Sequence, residues 1–136
     1  MVASSLTQAL DKKKMIFANT NKEITIIYSS EDHIGQQILA YAHTKDLPIH
    51  DIDLEHVKLT SMHWIELARR LNIETKDLIN VENPDFLQKF NDLTDLSKID
   101  WLKLLEHNPS ILRAPIVMKG DKIVMMSNPQ DMLYFV

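Results

Sequence analysis

Cysteine is absent from all 136 residues. The chain therefore offers no thiolate, and it cannot itself carry out thiol–disulfide exchange. Zinc–thiolate sites and cysteine-ligated iron–sulfur clusters are excluded for the same reason. Glycine is scarce as well, with Gly35 and Gly120 alone, so no glycine-rich phosphate loop can form. No apolar run reaches the ~20 residues that a membrane helix needs. At the N-terminus, Lys12 to Lys14 follow a weakly apolar stretch instead of preceding one. A secretory signal has the opposite order. The expectation is a cytoplasmic protein with no membrane partner. Positive charge is in the minority, 15 Lys and Arg against 19 Asp and Glu, for a formal net charge of −4. Such a chain lacks the basic footprint of direct nucleic-acid binding.

What is present fits an ordinary folded domain: 45% hydrophobic and 25% charged residues. Residues 1–22 read as an N-terminal arm, with a short edge strand at Met15 to Ala18 and a turn at Asn19 to Lys22. Residues 23–136 read as a single domain. Glu23 to Tyr28 is rich in β-branched and aromatic residues and predicts a strand. Ser30 or Asp32 then caps a helix over 33–44, where Ile34, Ile38, Tyr41 and Ala42 recur at helical spacing. Leu47 to Leu54 predicts a second strand, giving a β–α–β unit with parallel strands.

The middle is helical, an insert over about 58–112. Thr60 is an N-cap, with Leu59 and Trp64 as a hydrophobic staple. Trp64, Leu67, Ala68 and Leu71 mark one face of the helix that follows. Thr75 to Ile79 predicts a short helix. Asn83 and Pro84 open another, through Phe86 and Phe90. Asp95 to Leu105 predicts one more, carrying Ile99, Trp101 and Leu102. The period then changes. Ala114 to Met118 and Lys122 to Met126 predict antiparallel strands joined by a tight turn at Gly120. Asn128 caps a last helix with Pro129 at its first position. The order predicts an α/β fold: a four-stranded mixed sheet flanked by helices, with a helical insert between β-α-β and a C-terminal β-hairpin-helix. That is the order of a thioredoxin-like fold.

Three segments carry a resemblance. The first is Ile26 to Tyr28, followed by a polar loop and a helix. The second is Leu78 to Phe86. The third and most specific runs from Trp101 to Val117, a helix, a His-Asn-Pro turn, and an Arg-Ala-Pro-Ile-Val entry to a strand. Together they resemble the arsenate reductase family of glutaredoxin-like proteins, which includes the Spx-type transcription regulators. The resemblance implies a cis peptide bond before Pro115, facing the active loop. It places His33 where the family has its catalytic cysteine, Gln36 at the second cysteine of the Spx-type pair, and Gln37 at the basic residue that follows. Ala114 stands at the family's arginine, although Arg113 is adjacent. The missing nucleophile, resolving partner and arginine argue against arsenate reduction and for a pseudoenzyme.

The candidate ligand-binding residues are Ser29, Ser30, His33, Gln36, Gln37, Arg113, Ala114 and Pro115. No catalytic residue is assigned. His33 and Asp32 have no further acid–base partner in view, and no cofactor is implied. His50, Asp51, Asp53 and His56 contain metal-ligand types. Strand alternation sends His50 and Asp51 to opposite faces, so no metal site is expected. The leading reading is a redox-inactive, regulatory or protein-interaction module. Spx-type proteins bind RNA polymerase, which makes it one candidate partner. The alternatives are a glutathione- or small-anion-binding protein that uses the remnant pocket, and an enzyme of arsenate reductase type by family label only.

Overall fold

Ile24–Tyr28 forms strand β1, and every one of its residues is buried. In the computed structural model, which describes residues 23–45, 48–82, 84 and 97–135, β1 lies inside the sheet. It pairs in parallel with β2 (Ile49–Asp53), in register from Ile24 opposite Ile49 to Tyr28 opposite Asp53. Its other edge pairs antiparallel with β3 (Ile116–Lys119). β3 pairs antiparallel with β4 (Lys122–Met125), so the order is β2-β1-β3-β4. This is the four-stranded mixed sheet expected from the sequence. The N-terminal arm, the strand at Met15 to Ala18 and the helix through Phe86 and Phe90 lie outside the described residues.

Alternation along β1 distributes its side chains to two cores. Ile24, Ile26 and Tyr28 join Ile38 and Ala42 of helix α1 (His33–Ala42), together with Val117, Met126 and Met132. Ile27 joins the other core with Trp64, Leu67 and Ala68 of α2 (Ser61–Leu71) and Trp101, Leu102 and Leu105 of α3 (Lys98–His107). Leu67 and Leu105 are fully buried, each a gain of about 1.5–3 kcal/mol over exposure. Leu59 and Trp64 are buried in the same core.

The caps fall largely where the sequence placed them. Asp32, not Ser30, caps α1, its Oδ1 accepting from Ile34 N at 3.1 Å. Thr60 opens α2 in a capping box, its backbone N donating to His63 Nδ1 at 3.0 Å. Asn72 ends α2 at φ 59°, left-handed backbone that Asn tolerates well. α3 begins at Lys98 with Ser97 as its cap; the earlier start expected at Asp95 lies outside the described residues. Gly120, at φ 60°, turns the β3–β4 hairpin. Arg70 of α2 donates to Gly120 O at 3.3 Å and fastens the hairpin to the helical layer. Asn128 Oδ1 accepts from Gln130 N at 3.0 Å, and Pro129 opens a 3₁₀ turn that leads into α4 (Met132–Phe135).

One expectation is corrected. The Ala114–Pro115 bond is trans, since no described peptide bond is cis. Trans is the lower-energy isomer of an X–Pro bond by about 0.5–1 kcal/mol. Here Pro115 O accepts from Met126 N at 2.7 Å, which continues the β3–β4 pairing without the other isomer. Among the described residues no helix is long and apolar enough to cross a membrane.

Candidate functional site

The ends of β1 and the entry to β3 lie side by side, because the two strands pair. The loop after β1 is tied to the exit of β2. Asp53 Oδ1 accepts from Ser30 N at 2.9 Å and from Glu55 N at 3.0 Å. Ser29 Oγ donates to Glu55 Oε1 at 2.7 Å. Asp32 N closes the turn on Ser29 O at 2.9 Å. The four-residue loop over 29–32, which has no glycine, is thus held by two carboxylates, Asp53 at the end of β2 and Glu55 just beyond it.

The opposite wall comes from the helical insert. Ile79 and Leu112 form an isolated antiparallel bridge. Asn80 N donates to Ile111 O at 2.9 Å, and Arg113 N donates to Leu78 O at 2.7 Å. This pairing brings Asn80 beside the segment that enters β3.

Between these walls is a cleft of about 310 Å³. Tyr28, Ser29, Glu31 and Asp32 line one part, and Asn80, Arg113, Ala114 and Pro115 line the rest, with Pro109, Ser110 and Leu112 completing it. Of the residues picked out from the sequence, Ser29, Arg113, Ala114 and Pro115 meet here. Ser30 does not line the cleft, and its backbone is engaged by Asp53. His33 is exposed and is not among the lining residues. Gln36 Nε2 donates to Ser30 O at 2.9 Å and braces the loop from the helix. Gln37 lines a separate groove, with Tyr41, Thr44 and Asn128 to Gln130. The eight residues therefore do not form one site.

Asn80, Tyr28 and Ser110 were missed as lining residues. Asn80 follows an apolar pair, Leu78 and Ile79, whose partners Ile111 to Arg113 lie across the insert. Only a pairing of those two stretches would have revealed it.

The electrostatics of the cleft are mixed. Glu31 and Asp32 bring carboxylates and Arg113 a guanidinium. Behind the loop, Tyr28 Oη donates to Asp51 Oδ2 at 3.4 Å. Burial, then the negative charges of Asp51 and Asp53, raise the Tyr28 phenol above its ordinary value. For Asp53, burial pulls upward, but the bonds donated by Glu55 and Ser30 outweigh it. Its carboxyl is held below the usual carboxylate range. His50 and Asp51 occupy successive positions of β2, so they face opposite sides. His56 Nε2 lies 3.6 Å from Asp53 Oδ2. Among the described residues no group of three or more His, Asp or Glu is placed to hold a metal ion.

Residues 22–135 match the ArsC family model. A global transcriptional regulator Spx from Lactiplantibacillus plantarum is 29% identical over 94 residues, covering 65% of this chain and 71% of that protein. A putative arsenate reductase from Yersinia pestis superposes with a TM-score of 0.72 at 17% identity, over 82% of this chain and 98% of that one. An arsenate reductase from Vibrio cholerae superposes with a TM-score of 0.73 at 13% identity, over 86% of this chain and 100% of that one. At those identities the structural likeness establishes the thioredoxin-like fold and nothing about chemistry.

Proposed function

This chain belongs to the ArsC family, and on that premise we propose that it is a thiol-free member acting by binding a protein partner in a regulatory role. One observation carries the reading. The residue at the start of α1, where the family resemblance puts the nucleophile, is an exposed His33 outside the Arg113 cleft. Imidazole cannot cycle between reduced and disulfide-bonded states, and the chain has no cysteine to do so in its place. Without a thiol, the cleft beside Arg113 serves in this reading as a contact surface. The similarity to a protein named as a global transcriptional regulator favours a regulatory partner.

RNA polymerase is the partner to test first. Immobilised chain is exposed to purified bacterial RNA polymerase in biolayer interferometry. Saturable binding that free chain competes away is the expected result. Absence of binding to the polymerase and its isolated subunits would overturn the transcriptional version of the reading.

The second reading, glutathione or a small anion in the remnant cleft, is favoured by Arg113. It ranks lower because Glu31 and Asp32 line the same space, and like charges near a bound anion weaken it.

A further inference from the structure

The helical insert forms a pocket of its own, of about 460 Å³, which shares no lining residue with the cleft beside Arg113. α2, the 3₁₀ turn Thr75–Leu78 and the start of α3 meet there. Ala68 and Trp101, buried members of the core around Ile27, make its floor. Ile65 and Ile73 are half-buried against the same core and make its apolar sides. Arg69, Glu74, Lys76 and Lys98 are exposed and make its rim.

Two independent observations point to a ligand. The first is charge. Arg69 is paired with Glu66, and Lys76 Nζ lies 3.7 Å from Glu74 Oε2. Lys98 has no ion pair among the described residues. The uncompensated charge of the rim is therefore one ammonium. The second is Thr75. It is only 5% exposed, and the exposure that remains to it is on this pocket. Its hydroxyl takes part in no hydrogen bond among the described residues. A hydroxyl drawn largely out of water without a partner costs stability, and an acceptor brought by a ligand offsets that cost.

We infer that this pocket binds a small aromatic carboxylate. The ring lies on the apolar floor against Trp101 and Ile73. The carboxylate accepts from the Thr75 hydroxyl and from the Lys98 ammonium. An aromatic cation meets three positive rim groups and a single carboxylate in return, Glu74. That carboxylate is already shared between Lys76 and the Asp77 backbone N–H. The inference goes beyond the reading of the Arg113 cleft as a contact surface and does not depend on it: it gives the chain a small-molecule ligand at a separate place.

The test is the ¹⁵N-labelled full chain titrated with three probes. Benzoate has both the ring and the negative charge. Benzylammonium carries the opposite charge on a similar body, and acetate carries the charge without the ring. The amides of Ala68, Thr75 and Lys98 and the Trp101 indole N–H are followed, with Arg113 and Ala114 as reporters of the cleft. Saturable shifts of the first group with benzoate alone are expected. Lys98→Gln should weaken benzoate about two- to five-fold, the range of one exposed ion pair. Thr75→Val removes the hydroxyl and keeps the branched shape, and should weaken it about two- to ten-fold. The urea midpoint of Thr75→Val should be no lower than that of the wild type, because the hydroxyl has no partner to lose. A clearly lower midpoint would show that the fold satisfies the hydroxyl by itself and would overturn the inference. So would an equal response to benzylammonium or to acetate, no response to millimolar benzoate, or benzoate binding that neither variant weakens. A benzoate response centred on Arg113 and Ala114 would move the anion to the cleft and overturn it as well.

Discussion

Gly35 and Tyr28 are in close approach: a Cβ on Gly35 would stand 3.0 Å from the Tyr28 Cβ and 3.3 Å from Ser29 O. The missing side chain lets the first turn of α1 settle on the end of β1. The position of the helix start, and with it the loop that lines the cleft, depends on this contact. Gly35→Ala should destabilise the fold. Overpacking costs about 1–3 kcal/mol, and the better helix propensity of alanine returns up to about 1 kcal/mol. A net loss of about 1–2 kcal/mol is expected, read as a lower urea midpoint with unchanged slope. An unchanged midpoint would show that the helix start can move freely.

Asp53 organises the loop from outside the cleft. Asp53→Ala leaves the Ser30 and Glu55 N–H groups without their acceptor. Hydrogen bonds to a charged acceptor contribute about 1.5–3 kcal/mol each, net of exchange with water. A loss of about 2 kcal/mol is expected, because Glu55 is exposed and can turn to solvent. The pH dependence follows from the lowered Asp53 value. The folded state holds its proton less tightly than the unfolded state, whose value is near 3.8. The stabilisation is therefore present above pH 3.8 and is lost as pH falls through the lower folded value. Denaturation curves of wild type and Asp53→Ala should converge at the acid end of that window.

His63 gives a second pH response, in a different range. Its Nδ1 accepts from Thr60 N, so the cap needs that nitrogen unprotonated. Burial holds the His63 imidazole below its usual 6.5. The folded state thus disfavours the proton. The contribution is complete above pH 6.5 and is lost as pH falls below it toward the folded value. A positive charge at the start of α2 would also oppose the helix dipole. Thermal unfolding between neutral and mildly acidic pH should fall less steeply for His63→Gln, which can still close a capping box. Equal slopes would assign the pH dependence to other groups.

Restoring the thiol alone should not restore the chemistry. A His33→Cys chain gains a thiolate at a helix N-terminus, but His33 is outside the cleft that Arg113 lines. Its arsenate reduction with glutathione should stay at the background rate. A clear gain would place position 33 in a working active site.

The local pattern of the chain was readable. Strand β1, helix α1 and the β3–β4 hairpin follow from alternation, helical spacing and one glycine turn, because each is specified by adjacent residues. Asp32 and Ser30 were equal candidates for the α1 cap. Asp32 takes the role because it directly precedes the first helical residue, and its Oδ1 accepts from Ile34 N. The cleft was only half readable. Arg113, Ala114 and Pro115 are consecutive in the chain, so finding one finds the others. Asn80 reaches the cleft through a pairing with Ile111, across a separation that no local pattern encodes. His33 was placed correctly at a helix start, but which side of that start faces the cleft is set by the packing of Gly35 on Tyr28.

The most direct test of a thiol-free, non-reducing role is an activity assay on the full chain. Purified protein is supplied with arsenate, glutathione and glutaredoxin, and glutathione oxidation is followed through a coupled reductase. The expected rate equals that of the mixture without the chain. A rate that rises in proportion to added chain would contradict the account and require a reduction route that needs no cysteine of its own.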